Sequence, residues 1–396
     1  MITVDDAVAR IVAAFTPTPS EEVAIAAAAG RVLAQDAVAR MNQPPDPVSS
    51  MDGYALKSAD ATMPGATLRV VGTAPAGHPY GKTLNAGETV RIFTGGVVPD
   101  GADSIVIQED AAADGERVTF SVAAIHYRHI RAAALDFKTG DVLAPAGRRL
   151  TARDLSLIAA GDLARVRVRR KPRVAIAATG DELSPPGTPH PPGGIVASSG
   201  YSLAAMIANW GGEPVDLGIF PDTSEAIASI ADKADGADLI VTLGGASVGD
   251  HDLIQKALGP RGFALDFWKV AMRPGKPLIF GKLKDTPLLG LPGNPVSTLV
   301  CALLFLKPAI AALLGTAADT APVKARLAKD LKENDQRQDY IRARIALEDG
   351  ERVAEPFALQ DSSMMSVLAR AGGLIVRAPR APAAKAGDRV DVLLLE

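Results

Sequence analysis

Residues 238–252 read Asp-Leu-Ile-Val-Thr-Leu-Gly-Gly-Ala-Ser-Val-Gly-Asp-His-Asp, and this stretch decides the fold class of the chain. The apolar run 239–243 has the length of a buried strand. Gly244 and Gly245 break the run, and a helix-like pattern begins again at Asp252. A buried strand followed by a glycine turn and a helix is typical of α/β domains with a parallel sheet.

The same turn carries the groups of a phosphate and metal site. Glycines let the backbone approach a ligand closely, and consecutive N–H groups at a helix start suit a phosphate or another oxyanion. Ser247 adds a hydroxyl, and Asp250 and Asp252 add carboxylates that a divalent cation could bridge to that anion. The alternative interpretation is a simple corner in which the glycines permit the turn and Asp252 caps the helix.

A second turn of this kind follows the apolar run 173–178, where the chain reads Thr179-Gly-Asp-Glu182. Since parallel strands end at one edge of a sheet, both turns are expected at one crevice. Strands are predicted at 173–178, 214–220, 238–243, 264–270 and 287–291, with helices near 200–210, 223–234, 252–258 and 296–314. This alternation predicts a doubly wound, mostly parallel sheet.

The rest of the chain divides into further domains. We predict a discontinuous helical domain (1–48 and 141–171), an inserted β domain (49–140), the α/β domain (172–318) and a small C-terminal β domain (319–396). Val4, Val8, Ile11, Val12 and Phe15 share one helical face. The segment 18–21, Thr-Pro-Ser-Glu, looks like a capping box and predicts a second helix. Thr151 and Gly161 are expected to begin and end another.

Composition excludes several classes of function. The net charge is −3, aromatic residues make up 4% of the chain and there is no long basic run, so the composition argues against nucleic acid as a partner. The single cysteine, Cys301, is expected to be a small buried apolar residue and fits a reducing cytoplasm. Acids near the N-terminus argue against an export signal. The apolar stretch 299–314 is interrupted by Lys307-Pro308, so we expect a core helix kinked or broken at the proline rather than a membrane span.

Seven motifs occur in an order that resembles one known family. They are Ser-Met-Asp-Gly-Tyr-Ala (50–55), Phe-Thr-Gly (93–95), Gly-Ala-Asp-Ser-Ile-Val-Ile-Gln-Glu (101–109), Thr-Gly-Asp-Glu-Leu (179–183), Gly-Gly-Ala-Ser-Val-Gly-Asp-His-Asp (244–252), Trp-Lys-Val-Ala-Met-Arg-Pro-Gly-Lys-Pro (268–277) and Gly-Leu-Pro-Gly-Asn-Pro-Val-Ser (290–297). Together they resemble the molybdopterin molybdenumtransferases, the MoeA and gephyrin E-domain family. Each motif alone is weak, whereas seven in order across the whole chain are highly specific.

The resemblance implies an enzyme of molybdenum cofactor biosynthesis. The expected reaction inserts molybdate into adenylylated molybdopterin and releases AMP, with Mg²⁺ or a similar divalent cation. The resemblance also implies that residues 172–318 bind molybdopterin, and that the chain forms an elongated homodimer whose active sites are shared between subunits. Other proteins of molybdenum cofactor biosynthesis are expected partners.

The resemblance assigns roles to individual residues. It implies catalytic roles for Asp52, Thr94, Asp136, Glu182, Asp222 and Asp252, with Asp52, Glu182, Asp222 and Asp252 as metal ligands. Substrate contacts are expected from Thr179, Gly180, Gly244, Gly245, Ser247, Gly249, Lys269, Arg273, Lys276, Pro292, Asn294, Pro295 and Ser297. Each assignment has a purely structural alternative. Asp52 could serve merely to form a turn and Asp222 merely to cap a helix, and Lys269, Arg273 and Lys276 could be solvated surface charges. The proline-rich loop 184–194 is interpreted equally well as a lid or as a surface excursion.

The chain also departs from the family pattern. Leu135 stands where an acid is usual, and Gly200 stands where an asparagine is usual after Ser198-Ser199. Arg273 replaces a common lysine, and Gly96 replaces the usual alanine. These departures keep open a non-catalytic or altered paralogue that binds molybdopterin or a nucleotide. A receptor-clustering scaffold, as in gephyrin, is disfavoured because no linker or extra domain accompanies the motifs.

Overall fold

The computed structural model describes residues 1–245 and 251–395, without the side chains of residues 251 and 252. Its helices are α1 (Val4–Ala13), α2 (Ala152–Ala160), α3 (Ser199–Asn209), α4 (Ser224–Lys233), α5 (His251–Leu258), α6 (Pro295–Cys301), α7 (Lys307–Leu313) and α8 (Met365–Ala369).

The strands up to residue 169 are β1 (Ser20–Ala24), β2 (Ala37–Val38), β3 (Val48–Ser49), β4 (Gly53–Leu56), β5 (Thr67–Ala74), β6 (Glu88–Ile92), β7 (Ser104–Ile107), β8 (Ala111–Asp114), β9 (Arg117–Phe120), β10 (Ile130–Arg131), β11 (Val142–Ala144) and β12 (Arg165–Arg169). The later strands are β13 (Arg173–Thr179), β14 (Leu183–Ser184), β15 (Ile195–Val196), β16 (Glu213–Phe220), β17 (Leu239–Leu243), β18 (Phe263–Lys269), β19 (Met272–Arg273), β20 (Pro277–Leu283), β21 (Thr286–Leu291), β22 (Val323–Leu327), β23 (Gln338–Glu348), β24 (Glu351–Pro356), β25 (Gly373–Arg377) and β26 (Arg389–Leu394).

The chain forms two compact units. The first unit contains residues 1–21, 30–34 and 168–396, and the second contains residues 22–29 and 35–167. The first unit holds the α/β sheet and the C-terminal strands. The second unit holds α2 and a six-stranded sheet in the order β7-β4-β6-β5-β9-β8, in which only the β5–β6 pair is parallel.

The central sheet of the first unit has the strand order β16-β13-β17-β21-β20-β18. The first four strands are parallel, and β20 and β18 are antiparallel additions, so the expected mostly parallel sheet is confirmed. Side chains alternate along β13: Val174 and Ile176 pack with α1, α3, α6 and α7, whereas Ala175 and Ala177 pack with α4 and α5. Both faces of the sheet are therefore covered, as a doubly wound fold requires.

One strand of this sheet escaped prediction. Residues 277–283 form β20, which pairs with β21 on one side and β18 on the other. Gly281 lies in its middle, and a Cβ atom there would stand 2.3 Å from the carbonyl oxygen of Ala264. The glycine that weakens the strand pattern in sequence is required by the close approach of the neighbouring strand.

The helix predicted near 296–314 is continuous but irregular. A π-helical segment, Ala302–Leu306, joins α6 to α7, and Pro308 lies in the first turn of α7. The helix is therefore not broken at the proline, and of the two outcomes expected, a kink or a break, the break is wrong. Residues 295–313 are long and apolar enough to span a membrane by length and composition, but 78% of their most apolar window is buried inside the structure.

The C-terminal strands close into a small barrel. β23 pairs with β24, β24 with β22, β22 with β26, β26 with β25 and β25 again with β23. The two-residue strand β19 extends this sheet, because Met272 and Arg273 pair in parallel with Gln338 and Asp339. Arg273 thus belongs to the edge of the barrel sheet rather than to the α/β sheet.

The helix predicted to begin at Thr18 is wrong. Residues Ser20–Ala24 form β1, which pairs with β12. The Thr18 hydroxyl does not cap a helix, since it donates to the carbonyl oxygen of Arg170 at 2.7 Å. Pairing with a distant strand has overridden the local capping pattern.

Candidate active site

A cavity of about 340 Å³ lies at the carboxyl ends of β13, β17 and β21. It collects most of the residues that the sequence assigned to this edge of the sheet. The predicted residues in its wall are Thr179, Gly180, Glu182, Asp222, Gly244, Gly245, Pro292, Asn294, Pro295 and Ser297. We call it the turn cavity, because turns that follow strands of the parallel sheet form much of its wall.

The first two turns touch each other at glycines. Gly244 has φ +93°, and a Cβ atom there would stand 2.7 Å from the carbonyl oxygen of Thr179. A Cβ at Gly180 would stand 2.5 Å from a carboxylate oxygen of Glu182, so this carboxylate folds back over its own turn. Both glycines make room for polar groups at the bottom of the cavity.

Two carboxylates, Glu182 and Asp222, line the turn cavity. The backbone N–H of Asp222 donates to Oδ1 of Asp181 at 3.0 Å, which fixes the loop after β16 beside the loop after β13. Among the described side chains, no group of three or more His, Cys, Asp or Glu residues could hold a metal ion alone. Two carboxylates do suit Mg²⁺, which is commonly bound by one or two carboxylates together with water and substrate phosphates.

The third turn is held by the C-terminal region. Asn294 precedes α6, and its Nδ2 donates to the hydroxyl of Ser362 at 3.1 Å. The backbone N–H of Val296 donates to the carbonyl oxygen of Ser362 at 3.2 Å. The amide of Asn294 is therefore engaged by the 357–364 loop instead of capping its own helix.

The segment 195–200 also lines the turn cavity, and the sequence did not assign it to the site. Ser198 precedes α3 without making a side-chain capping bond, and Ser199 and Gly200 form its first turn. The proline-rich loop is exposed between residues 185 and 193, while its ends, Leu183 and Ile195, reach the cavity. The Ser-Ser-Gly run after this loop was the available signal.

The three predicted cations take other positions, and none of them is among the described residues of the turn cavity. The ammonium group of Lys269 lies 3.5 Å from the ring centroid of Trp268, and Lys276 is exposed. Arg273 pairs with Asp335 at 3.4 Å and also with the buried Asp339. Hydrogen bonding to Asp339 raises the pKa of Arg273, so the Arg273 guanidinium stays positively charged at neutral pH.

Arg273 instead lines a second cavity, of about 370 Å³, together with Asp339, Arg342 and Gln360. We call it the arginine cavity. Arg342 is only 2% exposed. Its Nε donates to Oε1 of Gln360 at 3.2 Å and its guanidinium donates to the carbonyl oxygen of Met364 at 3.3 Å. Desolvation lowers the pKa of Arg342, and it forms no salt bridge with any described residue.

A buried arginine without a directly bonded carboxylate is unusual, because buried charges are normally paired; the carboxylate of Asp361 acts on Arg342 without a direct hydrogen bond among the described residues. Arg342 was not predicted to be functional. In the strand pattern 340–345 its alternation with apolar residues indicates a solvated face. No local signal separates it from Arg344, the next arginine of the strand, whose side chain is 62% exposed.

Asp52, Thr94 and Asp136 belong to the second unit. Oδ1 of Asp52 accepts hydrogen bonds from the backbone N–H of Thr94 at 2.7 Å and from its hydroxyl at 2.8 Å. These bonds, with help from Arg91, lower the pKa of Asp52. Asp136 is exposed, and its backbone N–H donates to the carbonyl oxygen of Gln43. Ser247, Gly249, Asp250 and the side chain of Asp252 lie outside the described residues.

Comparisons with known proteins find the same family in the N-terminal, central and C-terminal parts of the chain. Three family models match: the MoeA N-terminal region (domain I and II) at residues 2–161, a probable molybdopterin binding domain at 175–312 and the MoeA C-terminal region (domain IV) at 324–395. The molybdopterin molybdenumtransferase of Nostoc sp. is 38% identical over 84% of this chain and 78% of its own length. The one from Haemophilus influenzae is 33% identical over 99% and 98%. A crystal structure of a molybdopterin biosynthesis MoeA protein from Pyrococcus horikoshii has TM-score 0.85 and 25% identity, with both chains fully covered.

Proposed function

The chain belongs to the MoeA family, and on that premise we propose that it inserts molybdate into adenylylated molybdopterin and releases AMP. Molybdenum cofactor biosynthesis and a transferase activity follow from the family itself. The adenylylated substrate and the release of AMP are the specific content of the proposal.

The turn cavity carries this proposal. Two glycine turns and two carboxylates, Glu182 and Asp222, line one cavity of about 340 Å³. Splitting a phosphoanhydride requires stabilisation of charge on phosphoryl oxygens and an oriented nucleophile. The N–H groups of Gly180 and Gly244 donate to the carbonyl oxygens of Phe220 and Leu291, so these glycines support the proposal by letting a phosphate approach the backbone closely, not by offering it these donors. The carboxylates would bind a divalent cation beside the phosphate.

We propose that Glu182 and Asp222 hold Mg²⁺ in the turn cavity. When bound, the ion would neutralise charge on the phosphate of the substrate. Asp252 and Asp52 remain further proposed ligands from the sequence motifs.

We propose that the arginine cavity takes the molybdate. An oxyanion there would supply the directly bonded charge partner that the buried Arg342 does not have among the described residues, and Arg273 would add a second cation. The two cavities are linked by the chain, because the segment 273–277 runs from Arg273 in one to Pro277 in the other. Tungstate has nearly the same size and charge, so we expect it to compete with molybdate.

The resemblance also supports a cytoplasmic homodimer with shared active sites and contacts to other proteins of the pathway. The lone thiol, Cys301, is fully buried, as expected, and suits a reducing compartment. Light scattering of the purified protein at micromolar concentration should give the mass of two chains, and a monomer mass would remove the shared-site proposal.

The decisive experiment combines the purified protein, adenylylated molybdopterin, molybdate and Mg²⁺. We expect AMP and active cofactor to form together, and AMP release to stop when the divalent cation is chelated. AMP would be measured by chromatography, and active cofactor by reconstitution of a molybdoenzyme. Absence of AMP above the protein-free blank would contradict the proposal.

The second candidate is a paralogue that binds molybdopterin or a nucleotide without turnover. Gly200 favours it, because this glycine lines the turn cavity where the family usually provides an amide side chain. Leu135 is 63% exposed, so its replacement of an acid has no packing reason. Tight binding of adenylylated molybdopterin with no AMP release would identify the paralogue.

A further inference from the structure

Arg91 places a positive charge in the interior of the six-stranded sheet of the second unit. It belongs to β6, which lies between β4 and β5, and its strand neighbours Val90 and Ile92 are buried. Arg91 itself is half-buried and forms no salt bridge with any described residue. Hydrogen bonds from Thr94, with a smaller contribution from the charge of Arg91, lower the pKa of Asp52. The charge is therefore close to a proposed catalytic group without being bonded to it.

The guanidinium of Arg91 is held by two aromatic rings and two neutral acceptors. Its central carbon lies 5.1 Å from the centroid of the Tyr54 ring and 4.7 Å from that of the Phe93 ring. Nη1 donates to the carbonyl oxygen of Gly53 at 2.9 Å, and Nη2 donates to Oε1 of Gln108 at 2.5 Å. A planar guanidinium can contact rings with its faces while it donates from its edge, so one side chain links four residues.

Two of these contacts fix the backbone around Asp52. Gly53 follows Asp52 in the chain, and a Cβ atom at Gly53 would stand 2.1 Å from the carbonyl oxygen of Val106, so β7 approaches closely there. The backbone N–H of Gln108 donates to the carbonyl oxygen of Asp52 at 3.0 Å. Because Arg91 holds both the Gly53 carbonyl and the Gln108 side chain, it ties together the two segments that support the backbone of Asp52.

A third contact supports the partner of the Asp52 carboxylate. Phe93, whose ring lies beside Arg91, directly precedes Thr94. The backbone N–H and the hydroxyl of Thr94 donate to Oδ1 of Asp52 at 2.7 Å and 2.8 Å. Oδ2 of Asp52 has no hydrogen-bond partner among the described residues. One carboxylate oxygen is therefore held in place by the protein, and the other is left for a ligand.

We infer that Arg91 is a positioning residue, which fixes the orientation of the Asp52 carboxylate through three neighbours of the Asp52–Thr94 pair. Those neighbours are Gly53, Gln108 and Phe93. The inference rests on the proposed function, in which Asp52 acts in catalysis. A catalytic group that is poorly fixed lowers the rate of the reaction, whereas substrate contacts made elsewhere keep their affinity.

Hydrogen exchange of the Thr94 N–H, followed by NMR on the full chain, tests this inference because that N–H donates to Asp52. In Arg91→Met the exchange should be faster by about tenfold or more, as when a hydrogen bond to a charged group is loosened. Arg91→Lys should give an intermediate rate, because an ammonium keeps the charge but lacks the rigid fork. Arg69→Met is the matched control: Arg69 lies on the adjacent β5 and pairs with Glu88, so Thr94 exchange should stay unchanged.

An unchanged rate of Thr94 exchange in Arg91→Met overturns the inference. Equal acceleration at Ala55 and Val90, which pair in the centre of β4 and β6, also overturns it, because Arg91 would then only stabilise the sheet. If Arg91→Met does not fold, a parental exchange rate in Arg91→Lys is the overturning result.

Turnover provides a second measurement on the same variants. Single-turnover AMP release should fall in Arg91→Met, while the affinity for adenylylated molybdopterin stays close to that of the parent. Equal losses of rate and affinity would contradict a positioning role. If the parent releases no AMP, the proposed function fails, and Thr94 exchange still decides whether Arg91 fixes Asp52.

Discussion

Arg342 places a positive charge on the face of β23 opposite the core of the C-terminal barrel, and it is only 2% exposed. Gln360 holds it on both sides: Oε1 accepts from the backbone N–H and from Nε of Arg342, and Nε2 donates to the carbonyl oxygen of Arg342. Neutral acceptors fix the position of the guanidinium without neutralising it. The arrangement keeps a charge ready for an anion in the arginine cavity.

Replacing Arg342 by methionine should raise the molybdate concentration for half-maximal cofactor formation by roughly 10- to 100-fold, as expected when charged hydrogen bonds of about 1.5–3 kcal/mol are lost. Stability to urea should stay unchanged or rise, because an apolar side chain of similar length removes a buried charge. Arg344→Met on the same strand is the control, since Arg344 is exposed. A large loss of stability without a change in molybdate dependence would assign Arg342 to the core.

Glu182 lies in the turn cavity with its carboxylate over Gly180. Glu182→Gln keeps size and hydrogen bonding but removes the charge. We expect AMP release to fall much more than affinity for adenylylated molybdopterin, because a carboxylate near a phosphate repels the bound substrate and helps only through a metal or a proton. Single-turnover rates and equilibrium binding measure the two quantities, with Glu225→Gln in the first turn of α4 as the control. Equal losses would indicate a structural role.

At the scale of elements, capping motifs predicted helices correctly where no strand pairing competed for the same residues. Thr151 and Asp154 form a full capping box at the start of α2, and Gly161 ends the helix as predicted. The similar motif at 18–21 wrongly predicted a helix, because residues 20–24 form a strand that pairs with β12. The two strands are more than 140 residues apart in the sequence. Local pattern predicts an element only where no distant strand competes for its backbone.

Asp154 should make stability depend on pH. It is buried, and hydrogen bonds from Arg148 and from Thr151 lower its pKa to about 2 from an ordinary value of 3.8. Because the folded pKa is the lower one, the stabilisation is complete above about pH 4 and is lost as pH falls towards 2. Asp154→Asn should lower the free energy of unfolding by about 1 kcal/mol at pH 7, as for a lost cap, and this difference should shrink between pH 4 and pH 2.

Urea unfolding followed by circular dichroism at each pH checks the Asp154 prediction. Asp162→Asn serves as the control, because Asp162 is exposed just beyond the same helix. A difference between Asp154→Asn and the parent that stays constant from pH 7 to pH 2 would show that ionisation of Asp154 does not stabilise the cap.

At the scale of the whole molecule, the sequence predicted most reliably the positions of residues in turns that follow parallel strands. Turns that follow parallel strands must meet, so Thr179, Glu182 and Gly244 could be assigned to one cavity from their positions along the chain. The cations could not be placed this way. Arg273 lies after β18, yet its neighbours Asp335 and Asp339 come from the barrel more than 60 residues later. Side chains that meet through the packing of separate sheets leave no spacing signal.

The hydrophobic core of the first unit contains residues that lie far apart in the sequence, and the N-terminal helix is an example. Val4, Ala7 and Ile11 of α1 are buried in the same cluster as Trp210 and Leu313. The backbone before α1 makes further contacts. The N–H of Ile2 donates to the carbonyl oxygen of Lys269 at 3.2 Å, and the carbonyl oxygen of Ile2 accepts from the N–H of Ala271 at 2.8 Å. The first residues of the chain therefore complete a core whose sheet begins at residue 173.

Ile11→Ala should consequently destabilise the α/β sheet and not only its own helix. Ile11 is 0% exposed, and removing a buried isoleucine side chain costs about 2–5 kcal/mol. Both tryptophans, Trp210 and Trp268, belong to the first unit, so their fluorescence in urea follows the unfolding of that unit. Val12→Ala is the control on the same helix, because Val12 is 37% exposed and its truncation should cost well under the loss at Ile11. Coincident fluorescence transitions for the parent and Ile11→Ala would mean that the sheet is stable without α1, and would exclude the helix from its core.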